Sequence, residues 1–157
     1  MKVILFRFEK ETINFLECDI NHGNLVLGKK EKISLDSCES RGEKYNKILD
    51  ELLQIKTRYS PDVLAYQSPQ KYRGTIKDEE GFANASMLNL FCYRNSIDIL
   101  ELTPKSTREY LSIPQKEFKS LVTQTMLQIV NDYQIAKSDK LADGLVFLKL
   151  IKNHIWQ

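Results

Sequence analysis

The sequence predicts an α/β fold, a mixed five-stranded sheet flanked by helices in the order β-β-β-α-β-α-β-α-α. Three observations predict it. The N-terminal quarter is made of β-rich apolar segments joined by short polar connections, which favours antiparallel neighbours. From Tyr45 onward the apolar spacing changes to the period of a helix. Two further short apolar runs then alternate with helical stripes, and a helix between two strands of one sheet implies a right-handed parallel crossover.

Each element has its own signal. Val3 to Phe8 is apolar and β-rich, and polar Glu9-Lys10-Glu11-Thr12 turns the chain into a second strand, Ile13 to Ile20. Asn21-His22-Gly23-Asn24 is a turn, since Gly and Asn tolerate positive φ. Leu25-Val26-Leu27 begins a third strand that extends through Leu35. Tyr45, Ile48, Leu49, Leu52, Leu53 and Ile55 form a helical stripe extended by Tyr59 and closed by Ser60-Pro61-Asp62. Val63 to Tyr66 suits a buried central strand. Gln67 to Asp78 reads as a loop, Glu79 to Asn95 as a helix, and Ile97 to Leu102 as an alternating strand. Thr103-Pro104 is an N-cap followed by a first-turn proline, so a short helix starts there. Phe118, Leu121, Val122, Met126, Ile129, Val130 and Tyr133 mark another helix, and the last runs from Asp139 to near His154.

A chain of 157 residues at 42% hydrophobic has material for one core, so residues 1–157 are read as a single domain. Lys+Arg 23 against Asp+Glu 21 leaves +2, which excludes a wholly basic coat and confines any nucleic-acid contact to a local patch. No apolar run approaches the roughly 20 residues of a membrane span. The opening Met1-Lys2-Val3-Ile4-Leu5-Phe6-Arg7 is too soon charged for a secretory signal, so the expectation is a cytoplasmic protein. Cys18, Cys38 and Cys92 are an odd number without paired spacing and read as reduced thiols. His22 and His154 stand at opposite ends of the sequence and offer neither a metal pair nor a nucleophile's base.

Four segments carry a family resemblance: the opening three-strand meander, Asp62-Val63-Leu64-Ala65-Tyr66-Gln67, the stretch from Glu101-Leu102-Thr103-Pro104 to Leu111 continuing at Lys119-Ser120-Leu121-Val122, and Asp139-Lys140-Leu141-Ala142-Asp143-Gly144-Leu145. In order and spacing the chain resembles the RuvC-like group of the ribonuclease-H-like superfamily, which includes Holliday-junction resolvases. The resemblance implies a fold that cuts nucleic-acid backbones with two divalent ions held by three or four converging carboxylates. Mapped onto that pattern, the first acid falls at Arg7 to within one residue, and the second at Tyr66 or Gln67. The C-terminal acids survive as Asp143 and, more loosely, Asp139, four residues apart rather than three.

A guanidinium does not ligate a cation and repels one from its pocket. An Arg7–Asp143 ion pair is the cheaper occupant of such a site. Glu9 or Glu11 restores a ligand only if the first strand slides by two residues, which the pleat permits. Asp139 after Ser138 has equally the form of an N-cap, whereas Asp139 and Asp143 share a face if both are helical. Gln70-Lys71-Tyr72-Arg73-Gly74 follows the fourth strand, at the edge where ligands of α/β sheets sit, and offers Lys71 and Arg73 to phosphates with Tyr72 to a base. Lys105, Arg108, Lys116 and Lys119 add a positive rim, with Arg108 and Lys119 matching the family's basic positions best.

Three readings follow. The first is a nucleic-acid-binding domain for structured DNA or RNA, with a degenerate metal site, little or no hydrolysis and no cofactor. The second is an active Mg²⁺- or Mn²⁺-dependent endonuclease using Asp139, Asp143 and a replacement acid such as Glu9 or Glu101. The third is a non-catalytic protein-interaction subunit. Met87, Leu88, Leu90 and Phe91 suit either a homodimer contact or a buried helix.

Overall fold

The first strand becomes the middle of the sheet. In the computed structural model, which describes residues 1–68, 71–72, 75–76 and 78–155, β1 (Lys2–Phe8) pairs antiparallel with β2 (Thr12–Asn21) and parallel with β4 (Val63–Gln67). β3 (Asn24–Ser34) closes one edge beside β2, and β7 (Asp98–Leu102) closes the other, parallel to β4. The strand order is β3-β2-β1-β4-β7. The β2–β3 hairpin turns through His22 and Gly23, with φ of 48° and 75°. Both central residues are therefore left-handed, as a type I′ turn requires.

The helices are α1 (Arg41–Tyr59), α2 (Glu79–Asn95), α3 (Pro104–Leu111), α4 (Gln115–Tyr133) and α5 (Ala142–Ile155). Three begin at side-chain caps. Ser40 accepts from the Glu43 N–H at 3.1 Å, and Asp78 from the Gly81 N–H at 2.7 Å. Thr103 and Ser106 form a reciprocal capping box on α3. Ser60 ends α1 in the left-handed region at φ 46°, just ahead of Pro61.

The pleat sorts the apolar residues into two layers. Ile4, Phe6, Phe8, Phe15, Leu64 and Tyr66 face α1 and α2 and meet Ile48, Leu52, Leu88 and Phe91. Val3, Leu5, Cys18, Ala65 and Leu100 face α4 and α5 and meet Ile129, Leu145, Leu148 and Ile151. Leu88 and Phe91 of α2 are core residues, so that side of the helix is spent on the sheet. Among the described residues, no helix is long and apolar enough to cross a membrane.

Two expectations need correction. The segment read as a loop from Gln67 to Asp78 contains a small antiparallel hairpin, β5 (Lys71–Tyr72) with β6 (Thr75–Ile76). The last helix starts at Ala142, not Asp139. The chain turns first, with the Asp139 N–H donating to the Ala136 carbonyl and the Ala142 N–H to the Asp139 carbonyl. An Asp that caps its own turn competes with helix extension.

Candidate functional site

Register builds a polar row at the carboxyl end of β1. Val3 and Leu5 face α5, so Arg7 is the next residue on that side, half-buried where its two predecessors are fully buried. Asn14 of β2 lies opposite Arg7, and Lys32 of β3 opposite Asn14. On β4, Gln67 follows Tyr66, the partner of Phe6, and so stands beside Arg7. Asn14 and Gln67 are only 8% and 6% exposed. The first turn of α5 rests against this row. A β-carbon on Gly144 would lie 3.2 Å from Leu5 Cδ1 and 3.5 Å from Gln67 Cβ, so glycine lets the helix approach this closely. Of the two candidates for the second acid position, Gln67 therefore shares the face of Arg7. Tyr66 points the other way, accepting from Asn89 at 3.5 Å.

The nearby acids are already engaged. Glu9 accepts from Lys140 Nζ at 2.8 Å and from Thr12 Oγ1 at 3.0 Å. Burial works against its charged form, but these hydrogen bonds, with the Lys140 and Arg7 charges, hold the carboxyl below the usual carboxylate range. Asp139 pairs with Lys30 of β3 and accepts from the Leu141 N–H at 2.9 Å. Its carboxyl too is held low: burial opposes the charge, and the Lys30 ammonium and Leu141 N–H outweigh it. Glu11 is bound to Lys44 at 3.1 Å. Glu101 pairs in register with Tyr66 and so faces away from Arg7.

The expected Arg7–Asp143 ion pair is not formed. Among the described residues, no carboxylate lies within the 4.0 Å of an ion pair from Arg7. Asp143 is exposed on the first turn of α5 and borders a groove of about 420 Å³ with Lys119, Phe118, Thr123 and Phe147. Asp139, in the turn before the helix, does not stand on a helical face shared with Asp143, which overturns that expectation. Nor is Asp139 the N-cap of α5, which starts at Ala142; its side chain accepts from the Leu141 N–H within the preceding turn. Among the described residues, no three of His, Cys, Asp and Glu are grouped as a metal ion would require.

Lys105, Arg108 and Lys119 meet in a cleft of about 300 Å³ between α3 and the start of α4, floored by Pro104 and Phe118. It adjoins the groove of Asp143 through Pro104, Phe118 and Lys119, which line both. The capping box at Thr103 fixes where α3 begins and so where Lys105 and Arg108 project. Lys105 is 3.9 Å from Glu109 on an exposed face, a contact that leaves its ammonium available to solvent. Lys71 and Tyr72 are placed by the β5–β6 pairing, whereas Arg73 lies outside the described residues. Lys140, Lys30, Asn14 and Lys32 were missed by sequence reasoning. Only Lys140 carried a local signal, being adjacent to a suspected acid.

No protein-family model and no curated protein matches the chain. Solved structures do. RuvC of T. thermophilus in complex with a Holliday junction substrate superposes with TM-score 0.67 at 12% identity, over 98% of this chain and 94% of that one. The chain has the RuvC-like, ribonuclease-H-like fold. Yeast mitochondrial Holliday junction resolvase Ydc2 matches with TM-score 0.59 at 15% identity, over 97% of this chain and 78% of that one. Fowlpox virus resolvase with substrate Holliday junction DNA matches with TM-score 0.56 at 12% identity, over 100% of both. The RuvC-like fold accounts for the central position of β1, and with it for the burial that Arg7 meets.

Proposed function

We propose that this chain is a nucleic-acid-binding RuvC-like domain whose two-metal site is degenerate, and that it binds structured DNA or RNA with little or no hydrolysis. The observation that carries this reading is Arg7. It occupies the position to which the resemblance assigns the first acid, half-buried, with an amide at Gln67 beside it. The donor set does not fit a pair of divalent cations. A guanidinium repels them, a carboxamide is a weaker ligand than a carboxylate, and Glu9 and Asp139 are each held by a lysine. The clustering of Lys105, Arg108 and Lys119 supports a phosphate-backbone contact at the same end of the fold. The neighbours solved with Holliday junctions make a branched duplex the first substrate to try.

The test is binding and cutting of a labelled four-way DNA junction. Binding should weaken as salt rises, and Arg108→Ala and Lys119→Ala should each flatten the log–log salt slope by about one. The junction should remain uncut in Mg²⁺ or Mn²⁺. Metal-dependent cutting that Asp143→Asn abolishes would overturn the non-catalytic reading, and absence of binding at low salt would overturn the nucleic-acid reading.

A further inference from the structure

We infer that Arg7, flanked by the side-chain amides of Asn14 and Gln67, is a seat for one phosphate oxyanion bound directly, without a divalent metal. Naming a nucleic-acid backbone as the source of that phosphate rests on the proposed function; the seat itself does not.

Three observations carry it. Arg7 has no carboxylate partner among the described residues, although it lies on the central strand where desolvation makes an unpaired charge costly. The acids nearest by sequence and fold make their ion pairs with other cations, Glu9 with Lys140 and Asp139 with Lys30, and Arg7 acts on Glu9 only through its charge. Asn14 and Gln67 are each more than nine-tenths buried, yet among the described residues only Thr107 Oγ1 is a fully buried side-chain polar atom without a partner, so their amides keep a path to solvent. Register puts one carboxamide on each flank of Arg7, and each has an N–H₂ group to offer an oxyanion. Gly144 brings the first turn of α5 against this row, with the Asp143 carboxylate exposed at its side and partly offsetting the positive end of the helix.

Guanidinium and phosphate match in geometry, since two parallel N–H groups meet two oxygens. Lys32, exposed and across from Asn14 in the same row, widens the positive side of the seat. Asp143, one residue before Gly144, borders the groove that holds Lys119. The seat and the basic groove thus both border the first turn of α5, and one nucleic-acid strand running along the groove would present a phosphate to Arg7. No bond is made or broken. The phosphate is held in the position that hydrolytic relatives are expected to give to metal.

The experiment uses the whole chain in EDTA. Binding of a fluorescein-labelled four-way junction is followed by anisotropy for wild type, Arg7→Gln and Arg7→Lys, with thermal unfolding confirming that each is folded. The expected result is binding that needs no Mg²⁺, a loss of about tenfold in Arg7→Gln with the salt slope reduced by about one, and a smaller loss in Arg7→Lys. In parallel, inorganic phosphate is titrated into metal-free protein while the arginine Nε–H resonances are followed by NMR. A saturable shift of the Arg7 signal is expected. If Arg7→Gln binds the junction as wild type does, or wild-type binding vanishes in EDTA, the seat as a nucleic-acid site is refuted while groove binding can still stand. If no nucleic acid binds at all, a phosphate-dependent Arg7 shift keeps the seat with free phosphate or a phosphomonoester as its ligand. An unmoved Arg7 signal overturns it.

Discussion

Placing carboxylates where Arg7 and Gln67 stand tests directly the proposal that Arg7 keeps metal from this end of the sheet. The two positions lie side by side on adjacent strands, one residue past the Phe6–Tyr66 pair. Neighbouring strands are about 4.8 Å apart, and two carboxylates at ~5 Å repel by about 3 kcal/mol at an effective dielectric near 20. In metal-free buffer R7D/Q67E should therefore lose on the order of 3 kcal/mol, or roughly 6–12 °C in Tm at about 2–4 °C per kcal/mol. An ion present at about 100 times its dissociation constant returns about 2.7 kcal/mol, so millimolar MnCl₂ should recover most of that loss. Wild type should show no such gain. Calorimetric unfolding in EDTA and in MnCl₂ reads all four conditions. A wild-type Tm that rises with Mn²⁺ as much as the variant's refutes the claim that Arg7 excludes metal. A variant indifferent to Mn²⁺ refutes the claim that these two positions frame the old site.

Three further outcomes are expected. Glu9 and Asp139 are held below the usual carboxylate range against the opposing effect of burial, so the unfolded chain takes up protons first. Their stabilisation is present above about pH 4 and is lost as pH falls through the lower folded values. Urea midpoints should drop steeply there, and Lys140→Ala should flatten the drop; an unaltered profile would count against the Glu9–Lys140 pair. Thr103→Ala removes the acceptor of the Ser106 N–H and should cost about 1 kcal/mol, whereas Thr103→Ser should be close to neutral; equal losses in both would point away from capping. Cys18 and Cys92 are buried, their thiols pushed up by burial, Cys92 to about 11. Iodoacetamide should thus label half-buried Cys38 first in the native protein, and Cys38→Ser should remove that fast phase; a fast phase that survives the substitution contradicts the burial assigned to the other two.

Periodicity made the sheet legible because its strands announce themselves locally. Val3 to Phe8 and Val63 to Tyr66 are nearly continuous apolar runs, as strands covered on both sides must be. Thr103-Pro104 and Ser60-Pro61 fixed helix ends through backbone chemistry that needs no tertiary context. The β5–β6 hairpin was missed because two-residue strands are too short to show alternation. The site was half legible. Which residues lie side by side at the ends of β1 and β4 followed from the strand order, as the Phe6–Tyr66 register shows for Arg7 and Gln67. Who pairs with whom did not, because Lys30 reaches Asp139 across 109 positions and no local pattern encodes that contact. The missing Arg7–Asp143 pair has the same cause: Asp143 lies one residue before the glycine that packs on the sheet, and its carboxylate turns toward α4 instead.

β1 is made long before it is covered. Val3 and Leu5 need Leu145 and Leu148 to shield them from water, and the ribosome delivers those partners only after all five strands of the sheet. Until α5 is made the nascent sheet carries a greasy, unroofed side, a period when chaperones have something to grip and neighbouring chains something to stick to.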